Sequence, residues 1–236
     1  KIQKPTASLN RVITKLPGEI PDHPVYEDLP LARYHSSVSC SKNNFKDPLA
    51  SALCSEKNMN ILLILLESFR ATDMDCFGSE LGLTPNFVKW KQKGIFFNNF
   101  YANGFQTRHA EIAAYCSVMP NYGESVFSHY NSNHFLCLPE ILRRKGYSTS
   151  WINGADAAYD NQLTMFPKIG FQNIIDRFDF PSDTETLGWG FSDEALFEKW
   201  IKLLDQEKEP FFSSALTTTN HHPFDVPKEF QRYENR

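Results

Sequence analysis

The sequence has no clustered run of lysine and arginine, and its formal net charge is −4 over 236 residues. Binding along a phosphate backbone draws on grouped basic side chains, so nucleic acid is not an expected partner. No apolar run approaches the roughly 20 residues that cross a bilayer; the longest candidate, Ile61 to Leu66, is far too short. The cysteines Cys40, Cys54, Cys76, Cys116 and Cys137 include no CxxC pair and no zinc-finger spacing, which argues against a structural zinc module. Cys40 and Cys54 lie in a polar stretch and are a candidate disulfide in an oxidising compartment; five unpaired thiols are the plainer alternative. A start methionine and a signal peptide are absent at Lys1. The chain is therefore expected to be cut from a longer protein, and the lack of a membrane anchor here does not argue against one upstream.

What is present is globular in character: 41% hydrophobic and 14% aromatic residues, enough for one sizeable core. Residues 1–57 lack a steady period and carry Pro5, Pro17, Pro21, Pro24 and Pro30 among polar residues. They read as an arm or linker, with residues 58–236 forming the globular part. No internal repeat is visible. Ile61 to Leu66 is a continuous apolar run, expected for a strand buried on both faces of a parallel sheet. Thr84-Pro85 opens a helix that Gly94 closes. Ile95-Phe96-Phe97 and Phe100-Tyr101 suggest a short extended segment. Further helices are predicted from near Thr107 through Ala114, from Pro139 to Gly146, and from Ser192 to Gln206. In the last of these Leu196, Phe197, Trp200, Leu203 and Leu204 share a face. Tyr147 to Ile152 and Phe211 to Leu216 read as strands. Strands alternating with helices predict an α/β fold, a mainly parallel sheet flanked by helices.

In such sheets ligands bind beyond the carboxyl ends of the strands. Three predicted strands end in polar groups: Glu67-Ser68, Asn153-Gly154 and Asn220-His221. Taken singly, each is more simply a polar loop start. Glu67 follows six apolar residues, and a carboxylate there needs a partner such as a cation or an arginine. In the run Asn103 to Glu111, a glycine-containing turn leads into a helix with Thr107 near its amino end, where free N–H groups favour anions. A threonine hydroxyl on a metal becomes a nucleophile, and the fork of Arg108 suits phosphate oxygens. Thr107 as a simple helix cap is the plain alternative.

Four blocks occur in the order expected for the alkaline-phosphatase-like sulfatase superfamily: Asn60 to Ser68, Thr84-Pro85-Asn86-Phe87, Gly94 to Tyr101, and the Thr107 segment. The branch most similar is that of lipoteichoic acid synthase and the phosphoglycerol transferases of periplasmic glucans. Asn153-Gly154-Ala155-Asp156 with Tyr159-Asp160-Asn161, then Gly170-Phe171, resembles the next block. Thr219-Asn220-His221-His222-Pro223-Phe224 resembles a substrate-histidine block. The resemblance covers residues 58 to about 230.

It implies a metal-dependent phosphotransferase that moves a phosphoglycerol-type headgroup from a phospholipid to a glycan or polymer acceptor, on the extracytoplasmic face of a membrane. Glu67 is then a metal ligand, Thr107 both ligand and covalent nucleophile, and His221 a contact to the transferred group. Arg108 joins the substrate contacts. Asn153 stands where lipoteichoic acid synthase has histidine, and Asp160 and Gln162 where it has tryptophan and arginine, so these three substrate-binding positions depart from the pattern. The remaining metal ligands of the family, an Asp-His pair, come further downstream than Arg236. The metal is one divalent ion: oxygen ligands and a phosphate substrate suit Mg²⁺ or Mn²⁺, and a histidine ligand also suits Zn²⁺. Cys116-Ser117-Val118-Met119-Pro120 departs from the Cys/Ser-x-Pro-x-Arg motif of formylglycine sulfatases, which disfavours a sulfatase-type hydrolase. A phosphoethanolamine transferase and a catalytically silent headgroup- or glycan-binding module are the competing readings. If Glu67 and Thr107 share one cation, their side-chain oxygens should lie within about 5 Å of each other.

Overall fold

The structure, a computed structural model, describes residues 59–120, 125–129, 132–226 and 231. The arm expected over residues 1–57 and the candidate Cys40–Cys54 pair lie outside the described residues. In chain order the elements are β1 (Ile61–Leu65), α1 (Pro85–Lys91), α2 (Thr107–Cys116), α3 (Val126–His129), α4 (Leu138–Arg144) and β2 (Ser148–Asn153). There follow α5 (Gln162–Met165), β3 (Asn173–Ile175), β4 (Thr186–Leu187), β5 (Gly190–Phe191), α6 (Asp193–Leu204) and β6 (Phe211–Leu216). All belong to one compact unit of residues 60–131 and 136–236.

Strands β1, β6, β2 and β3 form a sheet in that order, with every pairing parallel. The expected α/β class is therefore present. Strand β6 is central and buried at every residue. On one face Phe212 and Ser214 stand beside Thr149 and Trp151 of β2, under a cluster of Tyr115, Phe166 and Phe171. On the other, Ala215 and Ile152 pack against Leu196 and Trp200 of α6. The period-2 alternation of the strands thus feeds two cores, each closed by helical or loop aromatics. The serines in β6 do not leave polar groups stranded: Ser213 accepts from Ser150 and Trp200, and Ser214 shares a bond with Tyr115. Helix α6 begins as its sequence predicts, with the Ser192 hydroxyl accepting from the Ala195 amide.

Two expectations are corrected. Strand β1 is not buried on both faces: it sits at the sheet edge, and Leu62 and Ile64 are exposed. The apolar run reports a parallel strand, but period alone does not say how many layers cover it. The segment from Ile95 to Tyr101 joins no strand among the described residues. Pairing there is not enforced, because its aromatics find partners otherwise, as Phe96 does with Phe77 and Lys91. A disulfide joins Cys116 to Cys137, a pair that spacing did not single out; among the described residues Cys76 is free. It joins the last residue of α2 to the N-cap of α4. Strand β3 and the β4–β5 hairpin, both short, were not anticipated. One glycine shapes this region decisively. Gly170 has φ +110°, and a β-carbon there would sit 2.2 Å from the Glu140 backbone nitrogen, so only glycine lets the loop close against the start of α4.

Candidate active site

The carboxyl ends of β1, β6 and β2 meet at one edge, and the residues that follow them are laced together. The Glu67 amide donates to the Thr217 hydroxyl at 2.9 Å. The Asn220 side chain donates to the carbonyls of Ser68 and Glu67 at 2.9 and 3.3 Å. The chain turns sharply after β1, with Ser68 at φ +48°, a left-handed conformation that aims the strand end away from the sheet.

Helix α2 brings Thr107 to this edge. Gly104 makes its entry turn possible, since a β-carbon there would lie 2.5 Å from the His109 β-carbon. Gln106 is the N-cap residue and Thr107 the first helical residue, so the plain reading of Thr107 as the cap does not hold. Its hydroxyl instead donates to Glu67 Oε2 at 2.8 Å, well inside the 5 Å expected. Ser68 donates to the other carboxylate oxygen at 3.0 Å. Both donors to this anion are hydroxyls, and none of the ion pairs among the described residues includes it. Two oxygens from adjacent elements, one of them anionic, are the donor chemistry a hard divalent cation takes. Among the described residues no third His, Cys, Asp or Glu gathers with them into a metal-sized cluster.

Arg108 stands next on α2. Its guanidinium donates to Asp160 at 3.3 Å and to the Gln106 side chain at 2.8 Å. Its Nε is buried with no partner among the described residues, a donor still available to an anion. His221 packs its ring on Trp189 with centroids 5.1 Å apart, and Trp189 in turn meets Tyr159 at 5.3 Å.

Two of the expected substrate contacts are committed elsewhere. Asn153 is buried; its amide donates to the Leu216 carbonyl at 2.8 Å and its oxygen accepts from the Ala155 amide. Gln162 is buried and donates to Glu111 at 2.9 Å. Asp160 is held by Arg108. Glu111, which had no role in the sequence reading, is the surprise of the site. It lies one turn after Thr107 on α2 and is completely buried. Burial raises its pKa to about 8; the Gln162 bond lowers it by less than burial raises it, and Asp160 and Glu67 add smaller upward pushes. The signal was a carboxylate four residues from Thr107 beside the apolar Ile112 and Tyr115, a position where an unpaired charge is costly.

The site is thus a hydroxyl–carboxylate pair at the carboxyl edge of a parallel α/β sheet. The sulfatase family profile matches residues 59–236, and the chain belongs to that family. It is similar to lipoteichoic acid synthase 1 of Bacillus subtilis strain 168, with 28% identity over 194 residues, 79% of this chain and 30% of that protein. Two solved structures share the fold with a TM-score of 0.68. One is a protein in the alkaline phosphatase superfamily from Vibrio parahaemolyticus, 30% identical, covering 76% of this chain and 45% of that one. The other is the lipoteichoic acid synthase LtaP from Listeria monocytogenes, 25% identical, covering 75% and 45%. The chain thus spans about a third of the length of the curated relatives it matches. No helix among the described residues is long and apolar enough to cross a membrane.

Proposed function

We propose that the protein is a phosphotransferase that moves a phosphoglycerol-type headgroup from a phospholipid to a glycan or polymer acceptor through a phospho-threonine at Thr107. The observation that carries this reading is the 2.8 Å contact between the Thr107 hydroxyl and Glu67 at the carboxyl edge of the sheet. The similarity to lipoteichoic acid synthase 1 supports the choice of chemistry and substrate class.

Glu67 and Thr107 would hold a divalent cation, with further ligands supplied from outside this pair. Such a cation, when bound, lowers the pKa of the coordinated hydroxyl and offsets charge on the phosphoryl oxygens. The chain's own residues do the rest. Thr107 Oγ1 forms the new bond to phosphorus, the ester bond to the lipid breaks, and the lipid leaves as a neutral alcohol carrying the proton. Arg108, whose Nε has no partner among the described residues, pairs with the phosphoryl oxygens. An acceptor hydroxyl then attacks the same phosphorus, the Thr107 oxygen–phosphorus bond breaks, and the threonine hydroxyl regains a proton. His221, on its aromatic seat, orients the transferred glycerol group. An extracytoplasmic site, downstream of a membrane anchor and the 1–57 arm, accords with the Cys116–Cys137 disulfide, because such bonds persist in oxidising compartments.

The test is incubation of the full-length protein with phosphatidylglycerol micelles and Mn²⁺. A phosphoglycerol adduct on Thr107, found by peptide mass spectrometry, is the expected result. Transfer at the wild-type rate by Thr107→Ala would refute the reading.

A further inference from the structure

We propose that Gln162 and Glu111 are a positioning pair for Thr107: their buried contact fixes the rotation and depth of α2, and so holds the Thr107 hydroxyl against Glu67. This rests on the reading of Thr107 as nucleophile.

The geometry points to it in three ways. Thr107 and Glu111 are four residues apart, hence one above the other on the same face of α2. A tether at Glu111 therefore acts on the turn that carries the hydroxyl. The tether comes from a short segment that reaches the helix twice, through Gln162 to Glu111 and through Asp160 to Arg108. Between these two, Asn161 takes a left-handed conformation, φ +60°, and donates to the Phe127 carbonyl at 2.6 Å. Each side chain of Asp160-Asn161-Gln162 is thus spent on α2 or on α3. The other end of α2 is pinned independently by the disulfide at Cys116.

The chemistry of the pair is also specific. Glu111 is enclosed, no ion pair among the described residues includes it, and its Oε1 has no hydrogen-bond partner there. The charged groups that bear on it are Asp160 beside α5 and Glu67 beyond β1; Tyr115, a phenol on its own helix, is the other titratable neighbour. None of the three favours a second negative charge, and the Gln162 bond, which favours the charged form, is outweighed by burial. Glu111 is consequently carried as the neutral acid at neutral pH, its pKa raised to about 8 by burial first of all. A neutral acid–amide bond in a dry setting is directional without adding charge beside Glu67. A plain apolar contact would fill the same space but would leave helix rotation less fixed.

The experiment uses the full-length protein with phosphatidylglycerol micelles and Mn²⁺, and compares Gln162→Ala, Glu111→Ala, Glu111→Gln and Thr107→Ala. Gln162→Ala and Glu111→Ala should lower kcat about tenfold or more while KM stays within about twofold, the pattern of misplacement. Glu111→Gln, which keeps a neutral acceptor for Gln162, should stay within about threefold of wild type. A rise in KM at unchanged kcat for Gln162→Ala would make Gln162 a substrate contact and overturn the proposal. So would a loss in Glu111→Gln as deep as in Glu111→Ala. Full activity in Gln162→Ala together with an inactive Thr107→Ala would overturn positioning alone, whereas an active Thr107→Ala would overturn the nucleophile beneath it. A readout independent of activity is the carboxyl ¹³C shift of Glu111. It should report the acid at pH 7, titrate near 8 and move in Gln162→Ala; a resonance unmoved by that change would overturn the contact.

Discussion

Two glutamates on two neighbouring helices meet burial in opposite ways. Glu111 on α2 is sealed from water, faces an amide, and has one oxygen without a partner among the described residues. Glu140 on α4 is 7% exposed and takes Arg143 at 2.9 Å and Arg144 at 2.7 Å from its own helix. Burial alone would raise the Glu140 pKa, but the bonds from Arg144 and Arg143 outweigh it and hold the group below its ordinary value. The first carboxyl stays protonated, the second stays charged. The lesson is one of division of labour. Helix α4 has the saturated, local ion pairs of a structural element, whereas α2 carries, one turn from the proposed nucleophile, a polar atom without a partner among the described residues. Unsatisfied buried groups are costly and are kept mainly where function repays them.

The largest expected effect separates the helices by activity. Thr107→Ala in the full-length protein should cut headgroup transfer by roughly a thousandfold or more, while the melting temperature barely moves, because the lost bond is partly exposed. Glu140→Ala should do the reverse, with lower stability and a near-normal kcat. Transfer assays and thermal melts on the two variants check this together, and an active Thr107→Ala would erase the functional half of the contrast.

Next in size is the covalent tie between the helices. Breaking Cys116–Cys137, which closes a segment of sequence separation 21, should cost about 3 kcal/mol. Denaturant unfolding with and without reductant measures it. An unchanged midpoint would mean that α2 is anchored by packing alone.

The pH dependences should have opposite signs. The folded pKa of Glu111 is raised, so its contribution is complete below about 4.5 and is lost as pH rises through about 8. The slope is at most about 1.4 kcal/mol per pH unit. The folded pKa of Glu140 is lowered, so its contribution is present above the unfolded value of 4.5 and is lost as pH falls. Melts from acid to alkaline pH should show both limbs, with Glu111→Gln removing the alkaline one and Glu140→Gln the acid one. Survival of the alkaline limb in Glu111→Gln would point to another titrating group.

Much of this was legible in the sequence, and the rest was hidden for physical reasons. The parallel strands were read from the apolar run that ends at Glu67 and from two mixed segments that end at Asn153 and Thr217, and α6 from its spacing and Ser192 cap. The juxtaposition of Glu67 and Thr107 followed from one ending a strand and the other opening a helix. The edge position of β1 was not legible, because coverage of a strand depends on distant elements and not on its own period. The pairing of Cys116 with Cys137 depends on how α2 packs beside α4. Asn153 and Gln162 show a further limit: an amide at a strand end or helix start suits a ligand and a backbone carbonyl or buried acid equally, and only the fold decides which.

The smallest effect tests whether the Glu140 cluster is as plainly structural as it looks. Arg143 and Arg144 have side chains 47% and 44% exposed, so water and salt screen the pairs, and each is worth about 1 kcal/mol or less. Arg143→Ala should therefore lower stability by a few tenths of a kcal/mol to about 1 kcal/mol. The loss should shrink as salt is raised from low to several tenths molar, where the Debye length drops below about 6 Å. Glu111→Gln should show no such salt dependence, because its carboxyl is neutral and sealed from ions. A double-mutant cycle of Arg143→Ala with Glu140→Gln, run at two salt concentrations, reads the coupling directly. A coupling that stayed large at high salt would mean that the α4 pairs are shielded from solvent, and the two glutamates would then differ only in their partners and not in their exposure to water.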